Sequence, residues 1–162
     1  MKAIKLATTL SLAIATSVFL SSCGDAGETG VAASGPQLEV TIHANDQMKF
    51  DKTQIEAQPG QKIQVTLKNI GTMPKVSMGH NFVVLDGKLA PEEFVEASMT
   101  EMSNEFVAPA MTSHVIAHTK LLGPGESDTI TFAAPKTAGD YPFLCSFPGH
   151  YAIGMKGILT VK

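Results

Sequence analysis

Hydrophobic and polar positions divide the chain into three regimes. Leu6 to Leu20 is predominantly apolar, interrupted only by Ser and Thr, and follows Lys2 and Lys5, which predicts a secretory signal over residues 1–22 and not a folded element. Gly24 to Pro36 is rich in Gly, Ala and Ser without an apolar period and reads as a flexible tether. After Pro36 the pattern is that of short strands. Gln61–Lys68 alternates strictly, with Ile63, Val65 and Leu67 on one side and Gln64, Thr66 and Lys68 on the other. Asp128–Ala133 repeats this with Ile130 and Phe132 inward, and Leu38–His43, Asn81–Leu85, Asp140–Cys145 and Lys156–Val161 read as further strands. Turn signals at Pro59-Gly60, Asp86-Gly87, Gly123-Pro124-Gly125 and Ala138-Gly139-Asp140 separate them. Many short strands predict an all-β antiparallel sandwich or barrel for residues 37–162. One segment departs from the habit. Pro91, Glu92 and Glu93 open a stretch in which Val95, Met99, Met102 and Phe106 recur at steps of four, three and four, predicting one inserted helix over about 91–106 with Met99 and Met102 as core filler.

Composition narrows the function. The 162 residues suit one compact domain with a short appendage. Twelve Lys, no Arg and 15 acidic residues give a net charge of −3, so nucleic acid is a poor partner. Removal of residues 1–22 leaves 10 Lys against the same 15 acids, a net −5, and docking is expected to rest on apolar surface with charge steering left to the partner. The two cysteines, Cys23 and Cys145, do not make a disulfide scaffold. Leu20-Ser21-Ser22-Cys23 resembles the bacterial lipobox, and that resemblance implies cleavage before Cys23, a lipid anchor there and a tether over 23–36, on the periplasmic face of a membrane.

The chemistry lies in Cys145-Ser-Phe-Pro-Gly-His150-Tyr-Ala-Ile-Gly-Met155, spaced C-x4-H-x4-M. A thiol, an imidazole and a thioether within one Pro-Gly loop can converge on a soft or borderline metal. On a helix, steps of five would scatter them by about 140°. A fourth donor fits at His80, which opens the run Asn81–Leu85 far upstream. Two imidazoles and a thiolate with a weak axial thioether suit both Cu(II) and Cu(I), whereas a hydrolytic site would keep a position open for water. Taken singly, Cys145 could be a buried core thiol and His80 a strand histidine. His43, His114 and His118 have no partner at ligand spacing, so five scattered histidines build no second, catalytic copper site, and no carboxylate orients a Cys145–His150 nucleophile.

These stretches, with Asn45–Phe50, Met73-Pro74-Lys75, Met78-Gly79-His80-Asn81, Val115–Lys120 and Met155-Lys156-Gly157, resemble the blue copper proteins, or cupredoxins, and among them the azurins. The resemblance implies a Greek-key sandwich holding one type 1 copper and carrying single electrons. It also implies His80, Cys145 and His150 as equatorial ligands, Met155 as axial ligand, the Gly79 carbonyl opposite it, and Asn81 and Phe147 amides donating to the Cys145 sulfur. Met48, Met73, Met78, Phe147, Pro148 and Ala152 would ring the His150 edge as an apolar docking patch for c-type cytochromes or a membrane oxidoreductase, with the carrier a monomer. His118 matches an exposed histidine that binds added metal in that family. The x4 spacing before Met155, with Gly154 as the extra residue, is similar to that of the auracyanins. The azurin disulfide and buried tryptophan have no counterpart, Phe82 following His80-Asn81, and Asn69 replaces a titrating histidine, which predicts weak pH dependence of the potential. Copper delivery is the alternative function.

Overall fold

The computed structural model describes residues 35–162. The expectations for the signal, for Cys23 and for residues 23–34 of the tether lie outside the described residues. Among the described residues nine strands form two sheets. β1 (Leu38–Asn45), β2 (Lys49–Phe50), β4 (Lys62–Asn69) and β7 (Ser127–Ala133) make one, in the order β2-β1-β4-β7. β3 (Gln54–Ala57), β5 (Val83–Leu85), β6 (Val115–His118), β8 (Gly139–Leu144) and β9 (Lys156–Val161) make the other, in the order β3-β9-β8-β5-β6. The sandwich agrees with the reading of the sequence, but its sheets are mixed. β1 runs parallel to β4, and β3 parallel to β9, while the other pairs are antiparallel. Crossing from one sheet to the other between β1 and β4 produces the parallel neighbours.

The alternating face of β4 is where the pattern put it: Ile63, Val65 and Leu67 are fully buried, opposite Phe132, Ile130 and Asp128 of β7. Each such side chain contributes about 1.5–3 kcal/mol. Phe50, Phe82 and Phe143 meet between the sheets at centroid distances of 4.9–6.2 Å, so Phe82 fills core space beside the site.

The helical insert is shorter than its periodicity predicts. α1 is a single turn, Lys75–Met78, and α2 covers Pro91–Ser98, followed by a 3-10 turn at Met102–Asn104. Pro91 at the first turn and Glu92 and Glu93 beside the positive helix end favour α2's start. Its buried residues are Phe94 and Ser98, and Ser98 Oγ accepts the Ala108 N–H at 3.1 Å, fastening the returning chain. Met99 and Met102 are 50% and 60% exposed, which corrects their expected place as core filler. The strand expected from Asn81 starts at Val83, because Asn81 and Phe82 bond outside the ladder. The hydrophobic pattern does not predict β2, β3, β6, the turn α1 or a second 3-10 segment, Pro109–His114. Among the described residues no helix is long and apolar enough to cross a membrane.

Candidate metal centre

Three neighbouring strands of one sheet aim the site. Cys145 directly follows β8, Met155 directly precedes β9, and His80 lies three residues before β5, which pairs with β8 at Val83↔Leu144. Leu144↔Lys156 is the last pair of β8 and β9, and the Cys145 N–H donates to the Met155 carbonyl at 3.1 Å, closing the loop at its base. Inside it, the His150 N–H turns back on the Phe147 carbonyl at 3.1 Å, and Gly149 takes φ +85, a conformation that favours glycine. Gly154, at φ +95, closes a second turn onto the Tyr151 carbonyl, absorbing the extra residue locally. His80 is pinned on both sides by Leu122, its N–H donating at 3.1 Å and its carbonyl accepting at 2.8 Å.

The ligand atoms of His80, Cys145 and His150 all lie within 4.8 Å of one another, and Cys145 Sγ is 3.4 Å from His150 Nδ1. Two donors held about 2.0–2.3 Å from one ion have that kind of separation. All three side chains and Met155 are buried. Neither ring nitrogen of His80 makes a hydrogen bond of good geometry, the Asn45 carbonyl being its one polar neighbour on the backbone, and a buried imidazole so placed costs free energy unless an ion takes a lone pair. Burial lowers the pKa of His80 to about 4, against the opposing pull of the Asp46 carboxylate and the Asn45 carbonyl; burial and then His80 lower that of His150 to about 4. Both imidazoles therefore stay neutral, as metal donors must. Burial pushes the Cys145 thiol up to about 12, although the Asn81 and Phe147 amides point at the sulfur and favour the thiolate. A nearby cation would reverse that balance.

The soft sulfur and two imidazoles select copper or zinc among common ions. A profile of copper binding proteins, plastocyanin/azurin family, matches residues 36–162. The chain belongs to that family. Azurin of Bordetella pertussis is 44% identical over 130 residues, covering 77% of this chain and 84% of that protein. Azurin of Pseudomonas fluorescens biotype C is 37% identical over 137 residues, covering 78% and 99%. In structure, the reduced auracyanin of Roseiflexus castenholzii superposes with a TM-score of 0.66 at 37% identity over 79% of this chain and 99% of that one. An azurin of the methylotroph Methylomonas sp. strain J gives 0.68 at 28% identity over 77% and 98%. Family and donor set agree on copper, and this cupredoxin is a blue copper protein of the electron-carrier class.

Around the site, the other expected residues take these places. Gly79 is buried and caps α1; a Cβ there would sit 2.7 Å from the Lys75 carbonyl and 2.9 Å from Leu121. Met48, Met78 and Pro148 are half-buried, Phe147 is buried, and Met73 and Ala152 are exposed. Their loops are laced together: Thr72 and Met73 amides donate to the Asp46 carboxylate, and Lys49 Nζ donates to the Ile153 carbonyl at 2.7 Å. The Thr72 amide leads the bonds that hold Asp46 below the usual carboxylate range. His118 is exposed on β6, with Nδ1 facing the Thr119 carbonyl; His43 pairs with Asp51 and His114 with Asp86, away from the cluster. Sequence reasoning missed Ser146, Asp46 and Glu92. The Ser146 N–H donates to Asn81 Oδ1, and Tyr151 donates to Glu92 at 2.5 Å, tying α2 to the residue after His150. No local signal identifies such long-range pairs.

Proposed function

We propose that the protein is a membrane-tethered one-electron carrier in which His80, Cys145 and His150 would hold copper, with the Met155 thioether and the Gly79 carbonyl as weaker donors. The observation that carries the reading is the convergence of the buried His80, Cys145 and His150 ligand atoms within 4.8 Å of one another, with Cys145 Sγ 3.4 Å from His150 Nδ1 and no well-formed hydrogen bond to the His80 ring. Copper bound there supplies a Cu(I)/Cu(II) couple.

The chain's own groups do the rest. Leu122 and the loop base fix His80 and Cys145, so little has to reorganise between the two oxidation states. Asn81 and Phe147 amides tune the potential by stabilising sulfur charge. Phe147, its ring tilted 4.6 Å from that of His150, and buried Met155 keep water out. His150 offers its edge to partners through the patch of Met48, Met73, Met78, Phe147, Pro148 and Ala152. Redox proteins such as c-type cytochromes or a membrane oxidoreductase are the proposed partners, met briefly and released. Cys23, after cleavage of residues 1–22, would carry the lipid that keeps the domain on the periplasmic face, with residues 23–36 as tether.

The test of the centre is the visible and EPR spectrum with Cu(II). An intense thiolate-to-copper band with narrow hyperfine splitting, absent in Cys145→Ala, is expected; a colourless protein that takes only zinc refutes the reading. For the anchor, the mature N-terminal peptide should carry diacylglycerol, and Cys23→Ala should leave the membrane fraction.

A further inference from the structure

A groove of about 390 Å³ runs between α2 and the ligand-bearing loop. Val95, Met99 and Ala152 supply apolar walls, Gly149 belongs to the turn before His150, and Glu92 and Glu96 stand on its rim. Met99 lines the groove and is half exposed.

Charge is distributed unevenly about this groove. Residues 35–162 hold 13 acidic residues and 10 Lys, yet residues 91–105 alone hold five Glu and no Lys. The remaining eight acids against 10 Lys leave the rest of the domain at +2, so the whole negative excess sits on the inserted segment. Lys156, which lies 4.2 Å over the Tyr151 ring, offsets part of the charge of Glu92 but lines the neighbouring hollow with Pro142 and Ile158, leaving Glu96 on the groove. The insert is not loosely hung, since Glu92 holds Tyr151 and the Glu105 carbonyl accepts from Asn81. Its charge is therefore fixed relative to His150.

We propose that this groove seats a basic redox protein whose electron-exchange edge is apolar and ringed by Lys or Arg. The proposal rests on the carrier function and adds to it the direction of approach. A concentrated negative field at one side of the ligand loop orients an incoming positive ring. The apolar floor then receives the partner's edge beside Gly149 and Ala152, next to His150. Other occupants fail on charge: a second copy brings the same five Glu, an anionic bilayer is repelled, and residues 23–34 bring Asp25 and Glu28 without a Lys. On this proposal the chain contributes to the steering as well as the partner.

The experiment uses the full chain in uncharged detergent, loaded with Cu(I), and a basic c-type cytochrome as probe. Amide shifts should map to Val95, Glu96, Met99 and Ala152 and fade with added salt. In stopped flow, E93Q/E96Q should slow electron transfer to the cytochrome about fivefold at low salt and flatten the salt dependence. The variant's blue band and its reaction with a small uncharged reductant are the controls for the copper site. A map confined to the Met73 and Met78 side, a rate indifferent to salt and to E93Q/E96Q, an acidic cytochrome that reacts as fast, or self-association through the groove would each overturn the proposal. Failure of the carrier reading is a separate result, read from a missing blue band, and the shift map repeated on the metal-free chain still decides the groove.

Discussion

Asn81 and Ser146 clasp each other twice: the Ser146 N–H donates to Asn81 Oδ1 at 2.9 Å, and Asn81 Nδ2 donates to Ser146 Oγ at 2.8 Å. The clasp joins the residue after His80 to the residue after Cys145. It also receives the insert, because Asn81 Nδ2 reaches the Glu105 carbonyl and Ser146 Oγ the Phe106 carbonyl. Glu105 and Phe106 adopt φ values of 56 and 60, each costing about 1 kcal/mol or more in a non-glycine residue, and these bonds offset that strain.

Replacing Asn81 by Leu keeps the volume and leaves the buried Ser146 N–H and the Glu105 carbonyl without partners, while the Ser146 hydroxyl keeps its bond to the Phe106 carbonyl. A loss of about 2–3 kcal/mol is expected in urea unfolding of the metal-free protein, with a changed copper band. Ser146→Ala keeps the backbone donor and should lose only about 1 kcal/mol. Equal losses in the two variants would place the stabilisation in the hydroxyl alone.

Acid should weaken the metal-free fold well above the carboxylate range. His80 and His150 stay neutral in the fold down to about pH 4, whereas in the unfolded chain they titrate near 6.5. Between those values the unfolded state binds more protons, so stability falls as pH drops from 6.5 to 4, by up to about 3 kcal/mol for each histidine. Asp46 and Asp51, both lowered in the fold, add a loss below that window. Denaturation midpoints of the metal-free chain across pH 4–7 measure this, and His150→Asn should flatten the slope.

Copper uptake should release a proton. With the thiol pushed up to about 12, metal-free Cys145 is protonated at pH 8 while both histidines are already neutral. Titration with Cu(II) in weakly buffered solution should liberate about one proton per site, and none in Cys145→Ala.

The midpoint potential should be nearly flat from pH 5 to 8. Asn69 is buried, accepts the Gly71 N–H, and donates to the Leu122 carbonyl that also receives the His80 N–H. It touches the His80 support directly and cannot titrate. Asn69→His should restore a potential that falls as pH rises through the histidine range, since its positive charge at low pH favours Cu(II) reduction.

Much of the site was legible because its residues are dense in sequence. C-x4-H-x4-M in a Pro-Gly loop fixes three donors within eleven residues, and the strict alternation of β4 fixes its buried face. The parallel pairs were not legible, since alternation gives a face but no direction. The end of α2 was hidden for a different reason. The spacing of Val95, Met99 and Met102 continues the helical period, and only the demand of Asn81 and Ser146 for the carbonyls of Glu105 and Phe106, together with the Ser98 bond to Ala108, makes the chain turn early. Ser146 and Asp46 act through partners 65 and 26–27 positions away, beyond any local pattern.

The ligand loop begins and ends on one rung, Leu144 opposite Lys156, and bonds to itself across that rung from Cys145 to Met155. Its added residue is spent in the left-handed turn at Gly154 and never reaches the ladder. The loop is thus a cassette in a socket: its length and composition can drift, retuning the electron's potential and its exit, while the sandwich beneath retains its register.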